Sequence, residues 1–152
     1  MVGRTLVVVL GLWATTVAAA PGPPKRHHDG PAASYLEALR VADLFLNAWV
    51  KRDVNGGLAL VSAAALTRDS GGRVDLSGGV PDYISGISNP HHEAFEISPG
   101  RQVGPDRCAF PVRLFELYLG ESTGFAYSDT LEVVRQGGEW RIDRLPRSYN
   151  PD

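Results

Sequence analysis

The spacing of apolar residues changes once along this chain, near Pro90. Before that point Tyr35, Leu39, Ala42, Leu46 and Trp49 recur at steps of three or four, with Phe45 and Val50 widening the stripe, while Glu37, Arg40, Asp43, Asn47 and Lys51 fall elsewhere. That spacing predicts a helix with one broad buried face. Ser34 and Glu37 form S-x-x-E, the reciprocal capping pattern of a helix start. The helix should stop near Arg52, because Asp53 is a good cap for whatever follows and Asn55-Gly56-Gly57 is poor helix material. A second short helix is expected through "LALVSAAAL" and a third through "PDYISGIS", with Pro81 at its first position and Asn89-Pro90 ending it. The segment between them, "TRDSGGRVDLSGG", reads as a loop. Its glycines around Gly71 and Gly78 resemble a phosphate cradle only superficially, since no strand precedes them and no Gly-Lys-Ser/Thr follows.

Beyond Pro90 the period falls to two. "HHEAFEIS", "RCAFPVRLFELYL", "GFAYSDTLEVVRQ" and "EWRIDRL" are four strand candidates separated by turn residues, and Gly137-Gly138 supplies a two-residue hairpin loop. Helices followed by an antiparallel sheet make an α+β domain with the helices on one face. In the second strand candidate Cys108, Phe110, Val112 and Leu114 alternate, after which the apolar positions shift to Phe115, Leu117 and Leu119. A β-bulge near Leu114 would produce that shift and bend the sheet.

With Gly137-Gly138 as the loop, the hairpin pairs Gln136 with Glu139, Arg135 with Trp140, Val134 with Arg141, Val133 with Ile142, Glu132 with Asp143 and Leu131 with Arg144. One face then carries Trp140, Val133, Ile142 and Leu131 and is expected to be buried, while Arg141, Glu132 and Asp143 face water. Glu132 opposite Asp143 is a like-charge conflict that Arg141, or Arg113 of the preceding strand, could relieve. Trp49, Phe45, Phe110, Val133, Trp140 and Ile142 are the expected core. Carrying the buried parity outward brings in Asp129, Tyr127, Phe125 and Arg144. Asp129 and Arg144 come close enough to meet, either as an ion pair at the wet rim of the sheet or as a cavity carboxylate held by an arginine.

Composition changes the picture mainly at the N-terminus. Arg4, an apolar run from Leu6 to about Val17 and the small residues after it form a secretory signal over residues 1–19, too short for a comfortable membrane span, with an uncleaved anchor as the alternative. Residues 20–33 are a Pro/Gly-rich tether, the domain covers 34–146, and 147–152 is a tail. The expected location is periplasmic or secreted. Cleavage removes one cation and no acid from 15 Lys+Arg and 17 Asp+Glu, so the mature chain is mildly acidic and nucleic acid is a poor partner. Cys108 is the only cysteine, which rules out an intrachain disulfide and leaves a small buried hydrophobe or a reactive thiol. His27 and His28 lie in the tether, where no metal site is preorganised. His91 and His92 open a strand, where neighbours point to opposite faces and do not readily chelate one ion. No metal and no cofactor is expected, and no local Ser-His-Asp or Cys-His signature is present.

The long helix with "FLNAWVKRD" followed by "GLALVS", the third short helix, the bent antiparallel sheet and the closing "GEWRIDRL" together resemble the NTF2-like superfamily, including SnoaL-like proteins, over about Tyr35 to Leu145. The resemblance implies a strongly curved sheet wrapped round a long helix into a cone, with a pocket at the open end. It implies no single activity, since members include isomerases, dehydratases, epoxide hydrolases and noncatalytic binding modules. The polar residues available for the pocket are Tyr83, Tyr127, Asp129 and Arg144. No catalytic pattern matches position by position, so the expected role is noncatalytic binding of a small apolar ligand or a partner protein. The alternative is a small-molecule isomerase, dehydratase or hydrolase using Asp129. A homodimer through the sheet is a further arrangement open to such a domain.

Overall fold

The computed structural model describes residues 32–67, 79–86, 91–117 and 124–147. The signal, most of the tether with His27 and His28, the glycines Gly71 and Gly78, the stop at Asn89-Pro90 and the tail beyond Arg147 lie outside the described residues. The elements are α1 (Ala33–Lys51), α2 (Val54–Leu58), α3 (Ala63–Thr67), α4 (Gly79–Ser85), β1 (His91–Ile97), β2 (Arg101–Gly104), β3 (Arg107–Leu117), β4 (Gly124–Gln136) and β5 (Glu139–Arg144). The sheet is antiparallel, in the order β1-β3-β4-β5, with β2 also paired to β3. It curls into a half-barrel around α1, an α+β cone. No helix among the described residues is long and apolar enough to cross a membrane.

Helix α1 buries Ala38, Ala42, Phe45, Leu46, Ala48 and Trp49, the face its spacing predicts. Its start differs from the expected capping box. The helix begins at Ala33 after Ala32, which makes no side-chain cap, so Ser34 already lies in the first turn. Glu37 instead accepts a hydrogen bond from Trp140 Nε1 at 3.3 Å, a tertiary contact that takes the carboxylate away from local capping. At the other end Arg52 adopts the left-handed conformation and Asp53 caps α2 by accepting from Gly56 N at 2.9 Å.

The second helix is not continuous through "LALVSAAAL". Asn55-Gly56-Gly57 falls inside α2, where a Cβ on Gly57 would come within 2.7 Å of Ile84 Cδ1, so glycine permits the close approach of α4. The chain between α2 and α3 turns at Ala59 and Leu60 and bridges to β5 at Val61. Ile142 N donates to Leu60 O and Ser62 N to Ile142 O, both at 2.8 Å, covering an edge that would otherwise be open.

Phe45, Trp49, Phe110, Val133, Trp140 and Ile142 form one buried cluster with Leu46, Ile84, Leu114 and Leu131, as the sequence predicts. Cys108 is buried among them, and its burial pushes the thiol pKa up, which suits packing rather than reactivity. The hairpin turn has positive φ at both Gly137 and Gly138, as a type I′ loop requires. The first four expected pairs form, and then the register slips so that Glu132 faces Arg144. The expected pairs Glu132 with Asp143 and Leu131 with Arg144 are therefore incorrect. The bulge removes the like-charge conflict and turns Asp143 from the expected wet face into burial, where it accepts from Ser62 Oγ at 2.9 Å and from Arg107 at 3.2 Å. Arg107, rather than Arg141 or Arg113, also neutralises Glu132, at 2.6 Å. Arg113 lies over the ring of Phe115.

The bulge expected near Leu114 is also misplaced. β3 pairs with β4 without interruption from Arg107 to Leu117, and the irregularity lies on β1, between His92 and Ala94. Apolar parity on β3 consequently does not shift. Phe115 and Leu117 take the outer face, and Glu116 follows Leu114 inward.

Candidate functional site

Along β3 the inward positions are Cys108, Phe110, Val112, Leu114 and Glu116, so four apolar residues lead to a carboxylate that is only 1% exposed. β4 contributes Tyr127 beside it, opposite Leu114, and the Tyr127 hydroxyl donates to Glu116 Oε1 at 3.1 Å. β1 contributes His92, the residue paired with Glu116 just before the bulge. Its Nε2 lies 3.7 Å from Glu116 Oε1, beyond hydrogen-bonding distance.

The state of His92 follows from its other contacts. Nδ1 is 2.9 Å from the carbonyl oxygen of Trp49, which can only accept, so Nδ1 carries the proton and Nε2 presents a lone pair when the ring is neutral. Burial is the main cause that lowers the His92 pKa to about 4. Arg52 and His91 push the same way, against the Trp49 hydrogen bond, which raises it. The ring is thus neutral near pH 7. It stacks on the Trp49 indole at a centroid distance of 3.7 Å and an interplanar angle of 14°. The preceding residue, His91, turns away and meets Arg52.

Helix α4 brings Tyr83 to the same cluster, with its ring 6.5 Å from that of Trp49. Among the described residues neither the Tyr83 hydroxyl nor Trp49 Nε1 has a hydrogen-bond partner, although both are buried. An unsatisfied buried donor costs about 1–3 kcal/mol. Burial first, then the charges of Glu116 and Asp129, hold the Tyr83 phenol well above its usual pKa, so it remains a donor.

Of the four residues expected to line the site, Tyr83 and Tyr127 are in this cluster. Asp129 has inward parity, but its carboxylate brackets the chain. Oδ1 accepts from Thr130 N at 2.7 Å and Arg144 at 3.3 Å, and Oδ2 accepts from Arg147 N at 2.9 Å. Arg144 also reaches Glu132 at 3.4 Å, and its side chain is 37% exposed against 15% for Asp129, which places this pair at the rim. Glu116 and His92 are the two residues that sequence reasoning missed. Their signals were present. The alternation from Cys108 to Leu114 needed only to continue, and one of two adjacent strand histidines had to face inward.

Chemically, the cluster offers a buried carboxylate, a neutral imidazole acceptor, a phenol donor and aromatic walls at one end of the concave face. Among the described residues no three His, Cys, Asp or Glu side chains are grouped to hold a metal ion.

Neither a protein-family model nor a curated protein sequence matches the chain. Solved structures do. An NTF-2-like protein of unknown function from Shewanella oneidensis MR-1 superposes with a TM-score of 0.50 at 12% identity, covering 71% of this chain and 93% of its own. A protein of unknown function from Mycobacterium tuberculosis superposes at 0.45 and 13% identity, covering 71% of this chain and 66% of its own. At such identities the likeness concerns architecture alone. The curled sheet around a long helix, in this element order, is an NTF2-like fold.

Proposed function

We propose that this protein is an exported, noncatalytic NTF2-like module that binds a small, largely apolar molecule at the polar end of its concave face. The observation that carries the reading is Glu116, a carboxylate 1% exposed at an inward position where the same strand otherwise places Cys, Phe, Val and Leu. Burying a carboxylate costs several kcal/mol, and a solid apolar core would need none there. Clustered with a neutral His92 and the Tyr83 hydroxyl, which has no partner among the described residues, it forms the pattern of a few polar groups among aromatic walls that small-molecule sites share. The alternative, an isomerase or hydratase using Asp129, is weakened because both oxygens of that carboxylate already accept hydrogen bonds that hold β4, Arg144 and the chain after β5.

Native mass spectrometry of the protein isolated from its own cells tests the binding reading. A retained small molecule, lost in Glu116→Leu while the fold persists, is the expected result. A wild-type protein with no retained molecule, and with no thermal shift from any small aromatic compound, would reject it. Export rests on the apolar run from Leu6 to Val17, and intact mass of the envelope or medium fraction should lack residues 1–19.

A further inference from the structure

We infer that the residues after Arg147, Ser148 to Asp152, add to the open edge of β4 as a continuation of β5 and bring Tyr149 over Tyr127 on the concave side. The inference is independent of the binding reading. β4 pairs with β3 from Gly124 to Val134 but with β5 only from Glu132 to Gln136. Among the described residues no strand lies beyond β4 on that side from Gly124 to Leu131, and Gly124, Ala126 and Ser128 are exposed. An edge of this length is a template for another strand.

The hairpin fixes which groups face that edge. Gln136 and Glu139 close a two-residue loop, so even-numbered β4 residues turn N–H and C=O toward β5 and odd-numbered ones toward β3. Arg135 N accordingly donates to Asp106 O on the β3 side, at 2.8 Å. Pairing with β3 is uninterrupted, and the irregularity beside Glu132 puts its extra residue on β5, so the parity holds down to Gly124. Thr130, Ser128 and Ala126 therefore face the edge. The Thr130 N–H is taken by Asp129 Oδ1 at 2.7 Å, and Ser128 and Ala126 remain for a partner strand.

The chain itself delivers that strand. Arg144 faces Glu132, and further on the Arg147 N–H donates to the carboxylate of Asp129, equally far back along β4. The segment thus keeps step with β4 past the last ladder pair. Leu145 packs on the core, so odd-numbered residues turn inward. Pro146 interrupts the ladder because it falls opposite Thr130 with no N–H to give, and Asp129 bridges the break. In the same register Ser148 and Asn150 come opposite Ser128 and Ala126 with N–H groups available. Pro151 takes a position whose N–H would point away from β4, the side on which an edge strand accepts proline. Tyr149 comes opposite Tyr127 on the inner face, an aromatic cross-strand pair beside Glu116. A second copy of the chain is the less suitable occupant, since Arg147 already stands on the route its strand would take.

Amide hydrogen exchange of the mature chain, read by NMR, tests the pairing. The N–H groups of Ala126 and Ser128 should exchange more slowly in the intact chain than in one ending at Arg147, by about tenfold or more and at every protein concentration. NOEs should link the rings of Tyr149 and Tyr127. Asn150→Pro, which removes a donor facing the edge and sets its ring against Ala126, should release that amide, and Pro151→Ala should leave it protected. These point variants and the NOEs serve if the shortened chain does not fold. Fast exchange of both amides in the intact chain would overturn the inference. Protection that survives loss of residues 148–152 would overturn it too, assigning the edge to a second copy if it rises with concentration and to another part of the chain if it does not.

Discussion

The two ends of the concave face are built from the same strands and follow opposite rules. At the hairpin end, Phe110, Leu131, Val133, Trp140 and Ile142 close against the N-terminal half of α1, and Trp140 Nε1 donates to Glu37. At the other end β3 and β4 continue their inward parity into Glu116, Phe125 and Tyr127, and the C-terminal half of α1 meets them through Trp49, stacked on His92. The first end is packed for stability. The second keeps a buried carboxylate, a neutral histidine and a phenol with no partner among the described residues, groups whose burial costs free energy. Packing and the proposed binding thus fall at different ends of one sheet, and substitutions at the two ends should behave differently.

The largest effect belongs to the packed end. Trp140→Ala should destabilise the domain by about 3–5 kcal/mol in denaturant unfolding, because it opens a cavity in a cluster that cannot collapse around it. An unchanged unfolding midpoint would break the comparison. Next comes the pH dependence of the polar end. The His92 pKa falls from 6.5 to about 4 on folding, so between those values the unfolded chain binds the extra proton. Stability is full above about pH 6.5 and declines as pH falls toward 4, by about 3 kcal/mol for this one group. His92→Asn, which keeps a donor for the Trp49 carbonyl, should flatten that part of a melting-temperature profile relative to wild type. A profile unchanged by the substitution would place the titration elsewhere.

Smaller effects sharpen the contrast. Tyr83→Phe removes a buried hydroxyl with no partner among the described residues, so the free protein should be unchanged or gain up to about 1 kcal/mol while losing ligand affinity. A clear loss of stability would show that the hydroxyl is structural. Arg141→Ala should change stability by no more than about 0.5 kcal/mol, since its contacts with Glu139 and the Ala59 carbonyl are solvent-exposed. A larger loss in chemical denaturation would mean that Arg141 holds the chain between α2 and α3 against β5.

The packed end was legible because its information is periodic. The i, i+3, i+4 stripe of α1 and the alternation around Gly137-Gly138 each define a face without reference to anything distant, and the residues they select are the core. The polar end was less legible because it depends on where a bulge lies. Leu114, Phe115 and Leu117 invited a bulge on β3, but an extra residue is equally well absorbed by the partner strand, and here it falls on β1 beside Glu93. That choice alone turns Glu116 inward. The same holds at β5, where a bulge near Asp143 replaces a repulsion with the chain Ser62–Asp143–Arg107–Glu132–Arg144–Asp129.

By itself, then, the sequence determined the α+β order, the wide buried face of α1, the turn of the closing hairpin and the inward parity of Tyr127 and Asp129. Local spacing and turn chemistry suffice for each of these. Only the tertiary structure decided that α2 and α3 are separate, that Glu116 and His92 oppose one another, and that Asp129 is held at the rim rather than free in the site. Strand register and bulge position are settled by the competition of many weak pairings across the whole sheet, and no single segment of the chain contains that competition.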